Sequence, residues 1–456
     1  MKVSYFLPLI MLLFITSCAK EFDDPMILED DIVIIAPVFI ETTLFIKILG
    51  FSADEDLDAL CTINGVEYQP DINGFLYISS ILMNEEGQLV KVKAEGFMPS
   101  ISVVIPSIDD VTQLKIRILK SRPIVTFDAL EGGSFLISDS EYNMPALSIV
   151  DANGDDYLGT VNIKNYTRES AETVSFVTAH SHNVLIDDDG KKYSLQTWGG
   201  QDIFIYDVNG NEVFIKEGIK IQARLGIKQI ENTIPDKLDI MIFNELTDKW
   251  ELDSEAKLEG DKHIAEISNF GHLRWSKNIE VRRAKVKFNS ENGPLASVTA
   301  QVRASENNPI SVSSSNDKGD AYINVPVSGS YRILTYSFCG SPVILVSVYE
   351  EAVGNENEVL ILKDFENVKP VASIEGRILD CNGNAVPFGV FVREGNPNSY
   401  FIADANGLFS AQYYICEDNE WGGLVYDPSA QVFSDVLNYE TIPGMTVNLG
   451  DVVACQ

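Results

Sequence analysis

The chain is 456 residues long, 45% hydrophobic and 22% charged, and its 67 acidic against 34 basic side chains give a formal charge of −33. Binding to a phosphate backbone depends on Lys and Arg displacing counterions, so nucleic acid is excluded as a partner, and anionic surfaces are repelled for the same reason. At ~100–200 residues per domain, the length predicts three or four domains with cores of their own.

The first element is an apolar run from Phe6 to Ile15, with Lys2 ahead of it and Thr16 and Ser17 behind. As a helix it would rise roughly 15 Å, half of a hydrocarbon core about 30 Å thick. It is too short to span a membrane, and residues 1–17 read as a secretory signal that takes no part in the fold. The ending Ile15-Thr16-Ser17-Cys18 resembles a bacterial lipobox, which implies cleavage before Cys18 and acylation of that cysteine. Each buried CH₂ contributes ~0.8 kcal/mol, and more than one acyl chain gives lasting attachment. A membrane, reached through these N-terminal chains, is the first expected partner. Residues 18–40 then form an acidic tether. Within it Lys20-Glu21-Phe22-Asp23-Asp24 resembles the patch that surface-exposed Bacteroidota lipoproteins carry after the cysteine, implying a lipid-anchored, surface-exposed place on the outer membrane.

Beyond the tether the sequence predicts an all-β chain. The form D-x-[ND]-G recurs at Asp71–Gly74, Asp151–Gly154, Asp187–Gly190, Asp207–Gly210, Asp380–Gly383 and Asp404–Gly407, with Asn316–Gly319 a near relative. The leading Asp bonds backbone N–H groups two residues on, while Asn and Gly tolerate positive φ, so each reads as a hairpin tip. Short alternating runs rich in β-branched and aromatic residues flank the tips, such as Ile203–Tyr206 and Val213–Ile215. Strands of this length, separated by turns at short intervals, predict tandem β-sandwiches of Ig-like or transthyretin-like type. The best helix candidate, Ser290 to Val298, is broken by Gly293-Pro294.

Residues 41–120 carry Asp71–Ile78 followed by Val90–Phe97; residues 281–369 carry Pro294–Val298 and Asn316–Ile323. Residues 370–456 show the pattern most sharply, in Ser373–Pro387, Val390–Val392 and Ala403–Phe409. This last stretch resembles the carboxypeptidase regulatory-like domain, a transthyretin-like sandwich, and the other two look like worn copies. Pro387 comes one residue later after the turn glycine than that family usually has it. Residues 121–280 differ. Asp239–Glu251, then Ala256, Ile267–Phe270 and Trp275, resemble a β-rich module of Bacteroidota lipoproteins and cartilage intermediate layer proteins with the pattern F-[DN]-E-x-T-G-x-W. Here Asp248 replaces the glycine.

Few residues suggest chemistry. Catalytic zinc takes about three protein ligands, and the four histidines, His180, His182, His263 and His272, stand in no H-x-x-E or H-E-x-x-H spacing. His180-Ser-His182 is a weak two-ligand pattern, read as surface histidines. Asp187–Gly190 lacks a Glu at the twelfth loop position, which is Trp198, so it is no EF-hand. No G-x-S-x-G occurs. No metal, cofactor or enzymatic activity is expected. With Cys18 acylated, Cys339, Cys381, Cys416 and Cys455 form a candidate disulfide set of open connectivity, and Cys61 reads as a small buried side chain. Tyr413, Tyr414, Trp421 and Tyr426 form a candidate platform for a glycan or a surface protein, set against the reading that they alternate into the core. The expectation is a non-catalytic surface lipoprotein acting in adhesion or ligand presentation, built as a row of modules projecting on the order of 100 Å. Its alternatives are a glycan-capture component of an outer-membrane uptake system and a hydrolase with its site in residues 121–280.

Overall fold

The computed structural model describes residues 38–50, 58–85, 87–104, 106, 111–122, 124–168, 184–186, 191–227, 235–290, 293–294, 298–304, 309–315, 319–328, 331–336, 347–349, 359–362, 371–393, 400–414, 420–442 and 444–455. Every secondary-structure element among them is a β-strand. The fold is all-β, in tandem sandwich modules.

Three stretches share one pairing order. In the first, Phe39–Leu49 pairs antiparallel with Phe75–Asn84 and parallel with Thr112–Arg117. The opposing sheet runs Val66–Tyr68, Ala59–Ile63, Gln88–Ala94, Ser100–Val104. In the second, the C-terminal half of His272–Ser290 pairs antiparallel with Asp320–Pro326 and parallel with Val359–Leu362. Its opposing sheet is Pro309–Ser314, Thr299–Ala304, Tyr331–Tyr336, Ser347–Tyr349. In the third, Val371–Leu379 pairs antiparallel with Leu408–Tyr414 and parallel with Thr446–Val453, opposite a sheet built on Val390–Arg393 and Glu420–Asp427. Alternate apolar residues of both sheets fill each core, for example Leu44, Ile46 and Ile48 against Ala59, Cys61 and Ile63.

The Asp-Gly loops are of two kinds. In all five that are described in full, the Asp Oδ1 accepts N–H bonds from the second and fourth residues on, at 2.7–3.0 Å. Those at Asp151, Asp207 and Asp380 close on bridges, Val150 with Asp156, Tyr206 with Glu212, and Leu379 with Ala385. They are the predicted tips. The loops at Asp71 and Asp404 instead join strands in opposite sheets of a sandwich. There the carbonyls of Gly74 and Gly407 accept the N–H of Ile48 and Ile378, each at 2.8 Å. A Cβ on Gly74 would lie 2.4 Å from the Ile48 carbonyl oxygen, so only glycine allows this approach. Asp187–Gly190 and residues 316–318 lie outside the described residues.

The middle module is a wrapped sheet whose path runs Val125–Asp128, Thr160–Arg168, Lys192–Tyr206, His272–Ser290, Lys237–Asn244, Lys249–Glu259, Lys262–Ile267, Ile221–Leu225, Ser140–Met144, Gly133–Ile137. Its interior is filled by side chains from all round the path, including Tyr142, Ile163, Ile203, Ala223, Ile240 and Trp275. His272–Ser290 serves two modules: residues 272–280 pair with Lys192–Tyr206, and residues 281–287 pair with the next sandwich. The boundary expected at 280/281 therefore falls inside one continuous strand.

The modules do not stand in a simple row. The first sandwich packs on the middle module through Leu89 and Ile101 against Leu195, Met241, Phe243 and Trp250. It also packs on the last sandwich, through Phe45, Phe75 and Val111 against Val390, Val392, Tyr400 and Tyr426. Sequence spacing treats the modules as beads. The outward faces of these sheets, however, carry large apolar side chains that must be covered.

Candidate functional site

Of the residues singled out in the sequence, Cys18, His180, His182, Cys339 and Cys416 lie outside the described residues. Cys381 and Cys455 form a disulfide, closing a sequence separation of 74 and tying the end of the chain to the first turn of the last sandwich. Cys61 is wholly buried, and burial pushes its thiol up to about 12. That is a packing role, as its apolar context suggests. The four proposed platform residues are divided between two sheets. Tyr413 and Tyr414 lie on Leu408–Tyr414 opposite Ala372 and Val371, whereas Trp421 and Tyr426 lie on a strand of the other sheet. Tyr426 is fully buried, its ring centroid 5.0 Å from Phe75 and 4.6 Å from Phe433. It seals the first sandwich to the last and presents nothing to a ligand.

The motif of the middle module is a hairpin. Phe243 stands opposite Trp250 and Asn244 opposite Lys249. Asn244 Oδ1 accepts the Leu246 N–H at 2.9 Å, and Asn244 Nδ2 donates to Glu251. Asp248 holds the glycine position of the pattern at φ +56°, the left-handed conformation that Asp tolerates better than most residues. The replacement also creates a contact, since Lys91 of the first sandwich lies 3.1 Å from Asp248 Oδ1 and donates to the Glu245 carbonyl at 2.8 Å.

A charged cluster lies beside this contact. Ile203 and Ile205 point into the middle module, and so do Leu273 and Trp275; strand alternation puts Asp202, His272 and Arg274 on the other face. The Asp202 carboxylate is wholly buried and receives Arg168 Nε at 2.6 Å, His272 Nδ1 at 2.9 Å and Arg274 Nη1 at 3.1 Å. Burial alone would raise its pKa, but Arg168, Arg274 and His272 outweigh that and hold it well below the usual carboxylate range. Arg274 lies over the Trp250 ring at 5.3 Å. A carboxylate held this way neither takes nor gives a proton near neutral pH, so the cluster fixes structure rather than doing acid–base work.

A cleft of about 1220 Å³ is shared by three sandwiches. Glu41, Thr43, Ser79 and Ser80 come from the first, Ser315 from the second of the three, and Glu375, Arg377, Tyr400, Phe401, Asp404 and Asn448 from the last. Its polar wall is partly ordered by internal bonds. Thr43 Oγ1 donates to the Ser79 carbonyl at 2.9 Å and Asn448 Nδ2 to Glu375 at 2.8 Å. Tyr400 is 4% exposed, its ring packed on Phe45 and Phe75 at 5.5 and 6.2 Å. Its hydroxyl has no hydrogen-bond partner, and burial raises its pKa above the ordinary phenol value. No spacing in the sequence points to this cleft, because its walls come from segments hundreds of residues apart. Among the described residues no group of three or more His, Cys, Asp or Glu side chains is placed to hold a metal ion.

No protein-family model and no curated protein matches the chain. Solved structures that align with it include a shaft pilin from Lactobacillus rhamnosus GG, at 9% identity over 39% of this chain and 98% of the pilin, with a TM-score of 0.20. The Bacillus anthracis TIE protein aligns at 12% identity over 90% of this chain and 67% of that one, with a TM-score of 0.19. The major pilin subunit of Bacillus cereus aligns at 10% identity over 91% and 100%, with a TM-score of 0.14. Superpositions this loose carry no argument, and the fold stands on the strand order described above.

Proposed function

We propose that the protein is a non-catalytic lipoprotein of the bacterial outer surface, anchored through acyl chains on Cys18 and acting in adhesion or ligand presentation. On this reading the three like-ordered sandwiches are carboxypeptidase regulatory-like modules, used as a scaffold without a catalytic partner. The observation that carries the proposal is the cleft where all three sandwiches meet. A scaffold that only spaced a distal tip from the membrane would not need to bring its first sandwich against its last. The hydrolase alternative loses its most buried acid, since Asp202 is clamped by two guanidinium groups.

Metabolic labelling with palmitate in the producing bacterium, combined with protease shaving of intact cells, tests the anchor and its side of the membrane. The expected result is label lost in Cys18→Ala and cleavage of the chain on unbroken cells. An unlabelled wild type, or full protection from protease, overturns the location. A deletion strain that attaches to its substratum as well as the parent overturns adhesion.

A further inference from the structure

We infer that the cleft shared by the three sandwiches binds a neutral, polyhydroxylated ligand, a glycan segment several sugar rings long; this rests on the ligand-presenting reading above. Size is the first argument. At about 1220 Å³ the cleft exceeds the ~300–1,000 Å³ of pockets that enclose a single small molecule, so its occupant is extended.

Wall chemistry is the second argument. Hydroxyls and carboxamides, among them Thr43, Ser79 and Asn448, alternate with carboxylates at Glu41, Glu375 and Asp404. Carboxylates accept hydrogen bonds from hydroxyl groups, and bonds to an ionised acceptor are about twice as strong as neutral ones. Two of these carboxylates already accept from neutral side chains here, Glu41 from the Ser80 hydroxyl and Glu375 from the Asn448 carboxamide. They act as acceptors for neutral donors rather than as free charges awaiting a cation, and Arg377 in the same wall opposes a cationic occupant. An anionic glycan would meet the carboxylates and is excluded. Phe401, part-exposed in the lining, supplies an apolar ring face for the C–H side of a sugar.

The third argument is an unmet bond. Buried hydroxyls are almost always paired, yet that of Tyr400, a residue of the cleft lining, is not. A ligand hydroxyl is the partner that would complete it.

The test is isothermal titration of the mature full-length chain with neutral gluco-, manno- and galacto-oligosaccharides, a polyuronate and a lysine-rich peptide. The expected result is binding of at least one neutral oligosaccharide and of neither charged probe. Tyr400→Phe is expected to weaken that binding about tenfold while the melting temperature holds or rises, because the variant deletes an unpaired buried group. Glu375→Gln is expected to weaken it several-fold with the circular dichroism unchanged. Glycan binding indifferent to both substitutions overturns the site and leaves ligand presentation standing. Binding of the peptide in place of the glycans overturns the ligand class. If no probe binds while the deletion strain still loses attachment, the inference falls and the adhesion reading survives.

Discussion

The first sandwich meets its two neighbours by different chemistry. Against the last sandwich it offers rings: Phe45 and Phe75 pack on Tyr400 and Tyr426, with the Lys47 ammonium 3.9 Å from the Phe75 centroid. Against the middle module the apolar patch around Trp250 is flanked by charge, Lys91 on the Asp248 hairpin at its edge and Asp202 with its two arginines behind it. Apolar contact is non-directional and tolerant of small slips. Buried ion pairs are punishing when incomplete, and so fix one arrangement. The Asp202 cluster, all of it within the middle module, therefore fixes the face on which the first sandwich rests, while apolar packing holds that sandwich at both contacts.

If so, the largest effect belongs to Asp202. Asp202→Ala leaves Arg168 and Arg274 buried without a counter-charge, and the expected loss is roughly 3–5 kcal/mol of unfolding free energy, read from urea denaturation. The pH dependence has a definite sign. The folded pKa lies below the unfolded one, so the stabilisation is fully present above the unfolded carboxylate value and is lost as pH falls towards the folded one. The wild type should therefore lose stability in acid more steeply than the variant. Equal acid sensitivity would show that Asp202 does not set it.

On the aromatic side, Phe75→Ala should cost about 3 kcal/mol, the low end for a buried ring, because two sandwiches can close partly on the gap. Added salt should leave that loss unchanged. Lys47 gives this contact its own pH signature. Burial draws its amine down to about 8 against the pull of Asp71. Between that value and the 10.5 of an ordinary lysine, the unfolded chain holds a proton that the folded one has released, so stability rises with pH across this window. Desolvation draws Lys115, over the Tyr400 ring, down to about 8 as well, so Lys47→Met should reduce the rise without abolishing it, as followed by melting temperature from pH 7 to 11. A slope unchanged in the variant would assign it to another group.

These two contacts also mark how far the sequence can be read. The strands, the turn chemistry and the threefold recurrence of one module were legible because they are local: alternation places side chains on faces, and Asp-x-Asn-Gly fixes its own loop. Less visible was that the loops at Asp71 and Asp404 cross between sheets while those at Asp151, Asp207 and Asp380 close hairpins, since the two kinds share one local pattern. Asp248 looked like a blemish in a motif, and only the placement of Lys91 shows what the carboxylate does. The cleft left no trace in spacing at all. Along the chain Tyr426 fits either a platform or the core, because nothing there says that Phe75, far upstream, will cover it.

The smallest effect, and the one that best separates the two contacts, is at Lys91. Its side chain is about a quarter exposed and Asp248 about half exposed, so the pair is screened by solvent and contributes about 0.2–1 kcal/mol. Lys91→Met keeps the aliphatic stem and removes the charge, and should destabilise the protein by that amount in 50 mM salt and by less in 0.5 M, where the Debye length falls to about 4 Å. Asp248→Gly removes the same ion pair but also relieves the left-handed φ at that position, a gain of similar size, so its net effect should lie near zero. Asp248→Asn keeps the side chain's tolerance of positive φ and loses only the charge, so it should cost less than Lys91→Met, which also gives up the hydrogen bond to the Glu245 carbonyl. Failure of additivity in the double variant of Lys91→Met and Asp248→Asn would show that the two share one interaction. Additive losses would mean that the ammonium is held by the Glu245 carbonyl alone and that the carboxylate at position 248 serves only the turn.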